Sequence, residues 1–249
     1  MLLMKKNKIL DFGISVGSFS DFVKNIFLLS NNTDSSYICI CNVHMLMEAK
    51  KCIEFKNVLN NSNITTPDGM PIAKALSFKY KIKQERVAGM DLMPELIREC
   101  SVRKKSIFLY GSTENTLSSI VNKSKFLYPD LDIKFFSPPF RPLSEKEKED
   151  VIHIINKFSP DFVFVSLGCP RQEKWMSEHK GVIRSCMIGL GGAFSVYAGH
   201  QKRAPIWMRN NSLEWLYRLI LEPKRLFMRY FITNSLFIWY ICKDLLRKD

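Results

Sequence analysis

The stretch PDFVFVSLGCPRQEKW, residues 160–175, decides the fold of this chain. Its apolar, β-branched and aromatic first half is typical of a buried strand, and a turn with Gly168 and Pro170 leads into a helix that starts with polar groups. In a parallel α/β sheet such turns lie at the carboxyl ends of strands, where ligands bind. The first backbone N–H groups of the helix can hold a phosphate. The alternative interpretation is an ordinary strand-to-helix connection.

Short apolar runs alternate with helical patterns on both sides of this stretch. The helical patterns include residues 91–100, 113–127 and 144–158, and the last opens with a capping box formed by Ser144 and Glu147. This alternation predicts an α/β fold with a mostly parallel, Rossmann-like sheet flanked by helices. The predicted strands cover residues 8–14, 36–42, 106–110, 132–136, 161–167 and 182–188.

The pattern changes after about residue 199, beyond which no further strand is predicted. We therefore expect an α/β catalytic core at residues 1–199 and a helical, membrane-associating appendage at residues 200–249. The pattern of residues 205–248 predicts two or three helices, interrupted at Pro223. In residues 226–246 apolar side chains cover much of the helix surface and basic residues cluster at both ends, which suits an interfacial helix on a membrane. Packing on its own domain or on another subunit explains the pattern equally well.

The charge of the chain indicates an anionic partner. Lys and Arg number 37 against 24 Asp and Glu, a formal net charge of +13. Residues 202–249 hold ten of the basic side chains and only four acidic ones. Nucleic acid, a phosphorylated ligand and an anionic lipid surface all fit such a surplus.

The cysteines and the apolar runs bear on location. The seven cysteines form no CxxC pair, which is typical of a reduced, cytosolic protein. The opening MLLMKKNKIL holds too short an apolar stretch for a secretory signal. The apolar run at residues 231–242 is interrupted by Thr233, Asn234 and Ser235 and falls short of the ~20 residues that span a bilayer. We expect a protein that touches a membrane without crossing it.

One carboxylate lies in a pattern suited to catalysis. In TTPDGMP, residues 65–71, proline and glycine flank Asp68 in a turn that precedes a helix. A carboxylate held there can accept the proton of an attacking hydroxyl. On the local pattern alone, an aspartate that only shapes the turn or caps the helix is the favoured interpretation.

Glycine-rich and acidic segments give weaker signals. In IGLGGAF, residues 188–194, glycines such as Gly191 let the backbone approach a substrate closely, but the spacing is not that of a dinucleotide fingerprint. Asp130 and Asp132 form a pair that occurs as a metal ligand, yet a strand start is the favoured interpretation. The four histidines show no metal-ligand spacing, so we predict no metal site.

Taken in order, these motifs resemble the WecG/TagA/CpsF glycosyltransferases, also called glycosyltransferase family twenty-six, over nearly the whole chain. Each segment is weak alone, but eight or more in register are hard to obtain by chance. The segments are NVH at residues 42–44, DGMP at 68–71, RVAGMD at 86–91, FLYG at 108–111, LGCPRQE at 167–173, GLGGAF at 189–194, GHQKRAP at 199–205, LEWLYR at 213–218 and EPKR at 222–225.

The resemblance implies an α/β core with a C-terminal helical appendage that reaches membrane-bound substrate. It implies transfer of N-acetylmannosamine, its uronic acid or a related hexose from a UDP-sugar donor. The acceptor would be an undecaprenyl-diphosphate-linked sugar, in the synthesis of teichoic acid or other cell-surface or extracellular polysaccharide. The reaction would be inverting and metal-independent, with no cofactor.

The resemblance also implies roles for residues of this chain. Asp68 becomes the general base that deprotonates the acceptor hydroxyl, and Asn42 orients the donor sugar. Arg86 and Gln172 line the same pocket. Similar proteins often have a small hydroxyl residue two positions before the asparagine, where this chain has Ile40, and this departure bears on which donor sugar is bound.

Three arginines of the appendage, Arg218, Arg225 and Arg229, would neutralise the diphosphate of the donor or of the lipid acceptor. Guanidinium groups suit this task because they are always charged and bind phosphate oxygens as a fork. Stabilising the departing UDP in this way replaces a metal ion.

Other functional classes fit the sequence less well. A nucleic-acid-binding module explains the charge, but no helix-turn-helix or RNA-binding motif is present, so we expect no nucleic-acid partner. A nicotinamide-dependent oxidoreductase lacks its fingerprint, and an inactive scaffold fits poorly because Asp68, Gln172 and the arginines are retained. We expect a cytoplasmic protein, peripheral on the inner face of the cell membrane, with an anionic membrane surface and a homo-oligomer as further partners.

Overall fold

A computed structural model describes residues 4–31 and 35–246 of the chain. The strands are β1 (Lys6–Ile9), β2 (Phe12–Ser15), β3 (Ser36–Cys41), β4 (Ile64–Pro67), β5 (Ile107–Gly111), β6 (Ile133–Phe136), β7 (Phe162–Ser166) and β8 (Cys186–Gly189). The helices are α1 (Phe19–Ser30), α2 (Val43–Lys51), α3 (Ile53–Asn60), α4 (Met70–Tyr80), α5 (Gly89–Arg103), α6 (Glu114–Leu127), α7 (Glu145–Phe158), α8 (Arg171–Glu178), α9 (Ala193–Tyr197), α10 (Ile206–Asn210), α11 (Glu214–Leu221) and α12 (Pro223–Leu246).

Six strands form one parallel sheet in the order β4-β3-β8-β7-β5-β6, while β1 and β2 form an antiparallel hairpin. Helices cover both faces of the sheet, so its strands are apolar on both sides. In β3, Ile38 and Ile40 pack with α1, α5, α6 and α9, whereas Tyr37, Cys39 and Cys41 pack with the hairpin and the helices of the other face. The predicted fold class is confirmed.

This strand order indicates which edge of the sheet is suited to bind a ligand. The chain leaves β3 for α2 on one face and leaves the neighbouring β8 for α9 on the other face. Two adjacent parallel strands whose connections diverge to opposite faces open a crevice at their carboxyl ends. The crevice between β3 and β8 is therefore the candidate ligand site of this fold.

Several strand predictions were wrong in their extent. The predicted strand at residues 8–14 is two strands, because Leu10 and Asp11 adopt positive φ values of 52° and 70° and turn the chain into a hairpin. The predicted strand at residues 182–188 starts only at Cys186, and Ile183 makes an isolated bridge to Lys180. Apolar side chains continue through both segments, so their pattern did not mark the turns.

Strand β4 was not predicted at all, since Pro67 and its neighbours were interpreted as a turn. It lies at the edge of the sheet and pairs only with β3 among the described residues. An edge strand needs backbone donors on one side only, and a proline is tolerated there. The predicted turn follows the end of β4: Gly69 has a φ of 101°, and α4 begins at Met70.

The C-terminal segment forms three helices, as the sequence predicts. The predicted interruption at Pro223 is the boundary between α11 and α12. Pro223 can begin α12 because its missing N–H is one that the first turn leaves unpaired anyway. Near the other end of α12, the Asp244 carboxylate pairs with Lys79 of α4 at 2.8 Å. The boundary between residues 199 and 200 stays a prediction.

Helix α12 has two apolar faces. Leu226 and Phe237 are buried on the core, where α12 packs along α2. Phe227, Phe231 and Ile238 point outward and are 58%, 64% and 62% exposed. The apolar pattern of α12 therefore has two sources: one face packs on its own domain, and the other face is exposed. Within residues 4–31 and 35–246, no helix combines the length and apolar content that crossing a bilayer requires.

Replacing Phe237 by alanine tests how α12 is attached to the core. We expect Phe237→Ala to lower the free energy of unfolding by about 3 kcal/mol, because it leaves a cavity between α12 and the core. The matched control is Phe231→Ala, which removes the same atoms from an exposed position and should change that energy by less than about 0.5 kcal/mol. Equilibrium unfolding in urea measures both, and equal losses would contradict this packing.

Candidate active site

Asn42 and Asp68 directly follow two neighbouring strands, β3 and β4. Cys41 and Pro67, the last residues of these strands, are partners in the parallel register, and the N–H of Asp68 donates to the carbonyl of Cys41 at 2.8 Å. Asn42 caps α2, since its Oδ1 accepts from the N–H of Met45 at 3.1 Å. Its amide group then donates to the Asp68 carboxylate. The cap thus fixes the orientation in which Asn42 meets Asp68.

The pKa of the Asp68 carboxyl is raised by its surroundings. Burial raises its pKa from 3.8 to about 6, while the charges of Arg86 and Arg218 and the hydrogen bond from Asn42 act in the opposite direction. The charge of Glu214 acts with burial. A pKa near 6 leaves the group ionised at neutral pH yet more basic than an ordinary carboxylate, which favours proton abstraction.

Arg86 is held beside Asp68 by backbone and side-chain contacts. The N–H of Val87 donates to the Pro67 carbonyl at 3.1 Å, so the chain before it runs alongside the end of β4. The Arg86 guanidinium donates through Nη1 to Glu214 Oε2 at 2.6 Å and through Nη2 to Asp91 Oδ2 at 2.8 Å. Arg86 therefore lies at the predicted site, but both Nη groups of its guanidinium already donate to the carboxylates of Glu214 and Asp91.

Gln172 lies under the glycine-rich turn that follows β8. Its Nε2 would lie 2.9 Å from a Cβ at Gly189, and its Oε1 would lie 3.2 Å from a Cβ at Gly191. A side chain at either glycine would displace the amide, and Gly191 also has a φ of 48°. The structure thus brings two further predicted residues, Gln172 and Gly191, together at the carboxyl end of β8.

Glu173 is a residue of this site that the sequence analysis missed. Its side chain is fully buried, it accepts a hydrogen bond from Gln172 Nε2 at 2.7 Å, and burial raises its pKa to about 7. The Cys169 side chain also hydrogen-bonds to the Glu173 carboxylate, whereas Gln172 Oε1 is buried without a hydrogen-bond partner among the described residues. A glutamate in the first turn of a helix is ordinary in sequence, so only its position under the sheet edge reveals it.

Arg218 of α11 lies above the same turn. Its Nη2 lies 3.8 Å from a Cβ built at Gly192, and its Nε is buried without a hydrogen-bond partner among the described residues. It borders a cavity of about 540 Å³, a volume typical of small-molecule sites. Lys202, a second cation that the sequence analysis did not select, lines the same cavity. The full lining is Gly192, Ser195, His200, Gln201, Lys202, Arg218, Leu221 and Glu222.

The remaining residues that the sequence singled out lie away from this site, or their side chains are not among those that the structure describes. The side chains of Arg225 and Arg229 fall outside the described part of the structure, although their backbone belongs to α12. Ile40 is only 5% exposed and belongs to the apolar core. Asp130 and Asp132 precede β6. In the described ranges no three His, Cys, Asp or Glu side chains are grouped as metal ligands.

Comparison with known proteins gives the class to which this fold and site belong. The model of the family described as "Glycosyl transferase WecG/TagA/CpsF family" matches residues 7–249. The chain belongs to this family of glycosyltransferases, and the resemblance inferred from its motifs is confirmed.

Three similar bacterial proteins share one name, N-acetylglucosaminyldiphosphoundecaprenol N-acetyl-beta-D-mannosaminyltransferase. The chain is 34% identical over 209 residues to the one from Bacillus subtilis (strain 168), which covers 84% of this chain and 79% of the relative. It is 30% identical, with the same coverage, to the one from Bacillus spizizenii (strain ATCC 23059 / NRRL B-14472 / W23). It is 29% identical over 210 residues, 82% of this chain and 80% of the relative, to the one from Staphylococcus aureus (strain NCTC 8325 / PS 47).

The raised pKa of Asp68 predicts a pH-dependent cost to stability. Since its pKa is about 6 in the folded chain and 3.8 as an ordinary group, ionisation opposes folding increasingly from about pH 4 to above pH 6. We expect Asp68→Asn to raise the free energy of unfolding at pH 8 by about 2 kcal/mol and to have little effect near pH 4. Urea unfolding at both pH values measures this, and a destabilised variant at pH 8 would contradict it.

Proposed function

We propose that this glycosyltransferase moves N-acetylmannosamine, or a related hexose, from a UDP-sugar to an undecaprenyl-diphosphate-linked sugar. The product would enter teichoic acid or another cell-surface or extracellular polysaccharide. The names of the three relatives support the sugar and the lipid-linked acceptor. The observation that carries the proposal is the Asp68 carboxylate of raised pKa, which feels the charge of Arg218, a cation that also borders the cavity.

In the proposed reaction Asp68 acts as general base. Its carboxylate takes the proton of an acceptor hydroxyl while that oxygen forms a bond to the anomeric carbon of the donor. The bond between the anomeric carbon and the diphosphate oxygen breaks, and its electron pair leaves with UDP. Attack from the side opposite to the leaving group inverts the anomeric configuration. Asn42, which donates to Asp68, keeps the carboxylate oriented for this transfer.

The departing UDP needs positive charge close to its oxygens. Arg218 and Lys202 line the cavity at the end of β8 and supply two such charges. Cations fixed before the reaction stabilise a developing anion without reorganising. We therefore propose transfer without a metal cofactor, with Arg225 and Arg229 of α12 as additional contacts to a diphosphate.

The exposed face of the C-terminal helices supports a membrane-surface location. Besides the outward side chains of α12, Trp207 of α10 and Trp215 of α11 are 61% and 46% exposed. Lys224 and Lys243, near the two ends of α12, are exposed as well. Aromatic side chains beside lysines suit the interface of an anionic bilayer. The proposed location is the inner face of the cell membrane, where the acceptor diphosphate would meet the cavity.

A transfer assay with Asp68 variants tests the proposed function. UDP-sugars are supplied in turn with a polyprenyl-diphosphate-linked N-acetylglucosamine of short chain, without added metal. We expect transfer from UDP-N-acetylmannosamine, and a loss of kcat of about 10²- to 10⁴-fold in Asp68→Asn, because the general base is gone. Binding of UDP, measured by calorimetry, should change little.

The pH dependence of the same assay checks the identity of the base. Because protonated Asp68 cannot accept a proton, wild-type kcat/KM should fall about tenfold per pH unit below pH 6. No transfer from any UDP-sugar by a wild-type protein that binds UDP would contradict the proposed acceptor. An unchanged kcat in Asp68→Asn would exclude Asp68 as the base.

Flotation with vesicles tests the membrane surface. We expect Phe227→Ser combined with Phe231→Ser to weaken binding to phosphatidylglycerol-containing vesicles at least about tenfold, since two apolar side chains no longer enter the interface. The matched control is Phe126→Ser combined with Phe140→Ser. These two phenylalanines are 86% and 85% exposed and lie outside the C-terminal helices. Equal binding by both double variants would overturn the assignment of this face.

A further inference from the structure

Helix α11 is attached to the core in an unusual way. None of its eight residues, all of which the structure describes, is buried, and Trp215 and Ile220 are 46% and 66% exposed. No apolar side chain of α11 is therefore fully buried on the core, and the helix packs mainly against α12. Its first residue, Glu214, points inward instead, with a side chain that is only 13% exposed.

Glu214 completes a ring of four ion-paired side chains, and Arg209 Nη1 also lies 3.9 Å from Asp91 Oδ1. Its two carboxylate oxygens accept from Arg86 Nη1 at 2.6 Å and from Arg203 Nε at 3.2 Å. Asp91 accepts from the same two arginines, at 2.8 Å from Arg86 Nη2 and 2.6 Å from Arg203 Nη2. We refer to Arg86, Glu214, Arg203 and Asp91 as the ion ring.

The ion ring is stronger than an ordinary surface pair. Two positive and two negative side chains alternate around it, so every neighbour is of opposite charge and each carboxylate engages both of its oxygens. Its side chains are between 13% and 31% exposed, which limits screening by salt. Networks with good geometry contribute more to structure than isolated exposed pairs do.

The ion ring and the cavity are connected through one turn of α11. Glu214 and Arg218 are four residues apart, so their side chains lie on the same face of the helix. While Glu214 is held by Arg86 and Arg203, Arg218 is held above Gly192 at the end of β8. If Glu214 is released, the start of α11 loses its ion pairs to Arg86 and Arg203, and the helix keeps mainly its contacts with the neighbouring helices α10 and α12.

We propose that Glu214 is a positioning residue, which docks α11 onto the core through the ion ring and so holds Arg218 over the cavity. In this assignment Arg86 acts through Glu214 and anchors the appendage, rather than acting as a phosphate ligand. The inference rests on the proposed function in one respect, namely that Arg218 contacts the diphosphate of the donor.

Hydrogen exchange measures the docking itself, without reference to activity. We expect the amides of residues 214–221 to exchange at least about tenfold faster in Glu214→Gln than in the wild type. The matched control is Glu95→Gln, which removes a carboxylate of α5 that pairs with Arg98 at the surface. Unchanged exchange in Glu214→Gln would overturn the proposal, whether or not the protein proves to use UDP.

Binding of UDP tests whether Glu214 acts through Arg218. Both Glu214→Gln and Arg218→Ala should weaken UDP binding about tenfold by calorimetry, and the double variant should bind no more weakly than Arg218→Ala. Additive losses would mean that Glu214 acts independently and would overturn the proposal. A wild type that binds no UDP would instead contradict the proposed function, and the exchange measurement would still decide on the ion ring.

The pH profile of transfer separates positioning from a direct effect of charge. Glu214 raises the pKa of Asp68, so loss of its charge alone would move the acid limb of kcat/KM to lower pH. Arg218 lowers that pKa and is the larger influence, so displacement of Arg218 moves the limb to higher pH. Arg86, the strongest charge acting on Asp68, stays paired with Asp91 in Glu214→Gln. We therefore expect Glu214→Gln and Arg218→Ala to shift the limb to higher pH alike, and a shift to lower pH in Glu214→Gln alone would overturn the positioning role.

Discussion

Hydrogen bonding of β3 to β4 on one side and to β8 on the other brings together three chain segments that lie far apart in sequence. In this register Asn42 and Asp68 follow directly after paired residues, and the turn with Gly191 follows the next strand. Because all three strands run parallel, their carboxyl ends share one edge. The contact between Asn42 and Asp68 and the position of the cavity at the end of β8 both depend on this pairing.

The site combines groups that oppose one another energetically. Burial disfavours the charged form of Asp68, and the nearby arginines only partly compensate for it. Glu173 is buried still more deeply, and Gln172 beside it keeps its Oε1 without a partner among the described residues. Such unsatisfied groups reduce stability, and they concentrate where function requires a particular basicity or hydrogen bond. The apolar packing on both faces of the sheet supplies the stability that this edge lacks.

Local sequence rules predicted the regular part of the fold. The capping box of Ser144 and Glu147 is present at the start of α7, and the apolar runs of β5 and β7 lie where they were expected. Strand β4 was missed because Pro67 signals a turn equally well in a loop and at the end of an edge strand. Only the pairing with β3 distinguishes the two cases, and pairing is not a local property.

The site was less predictable than the fold for the same reason. Asp68 by its local pattern is an ordinary turn residue, and the resemblance to a family was what assigned it a role. Lys202 and Glu173 carry no local signal, since one is a lysine in a basic segment and the other a glutamate in a first helical turn. The site as a whole depends on contacts between residues distant in sequence, such as Arg86 and Glu214, which are 128 residues apart.

The ion ring also bears on which part of the folded molecule opens first. It holds α11 through charged side chains, and none of the eight residues of that helix is buried. A segment with few buried apolar side chains opens locally at a lower free energy than the apolar core does. The rim of the candidate site is therefore the part that loosens first, while the sheet beneath it persists.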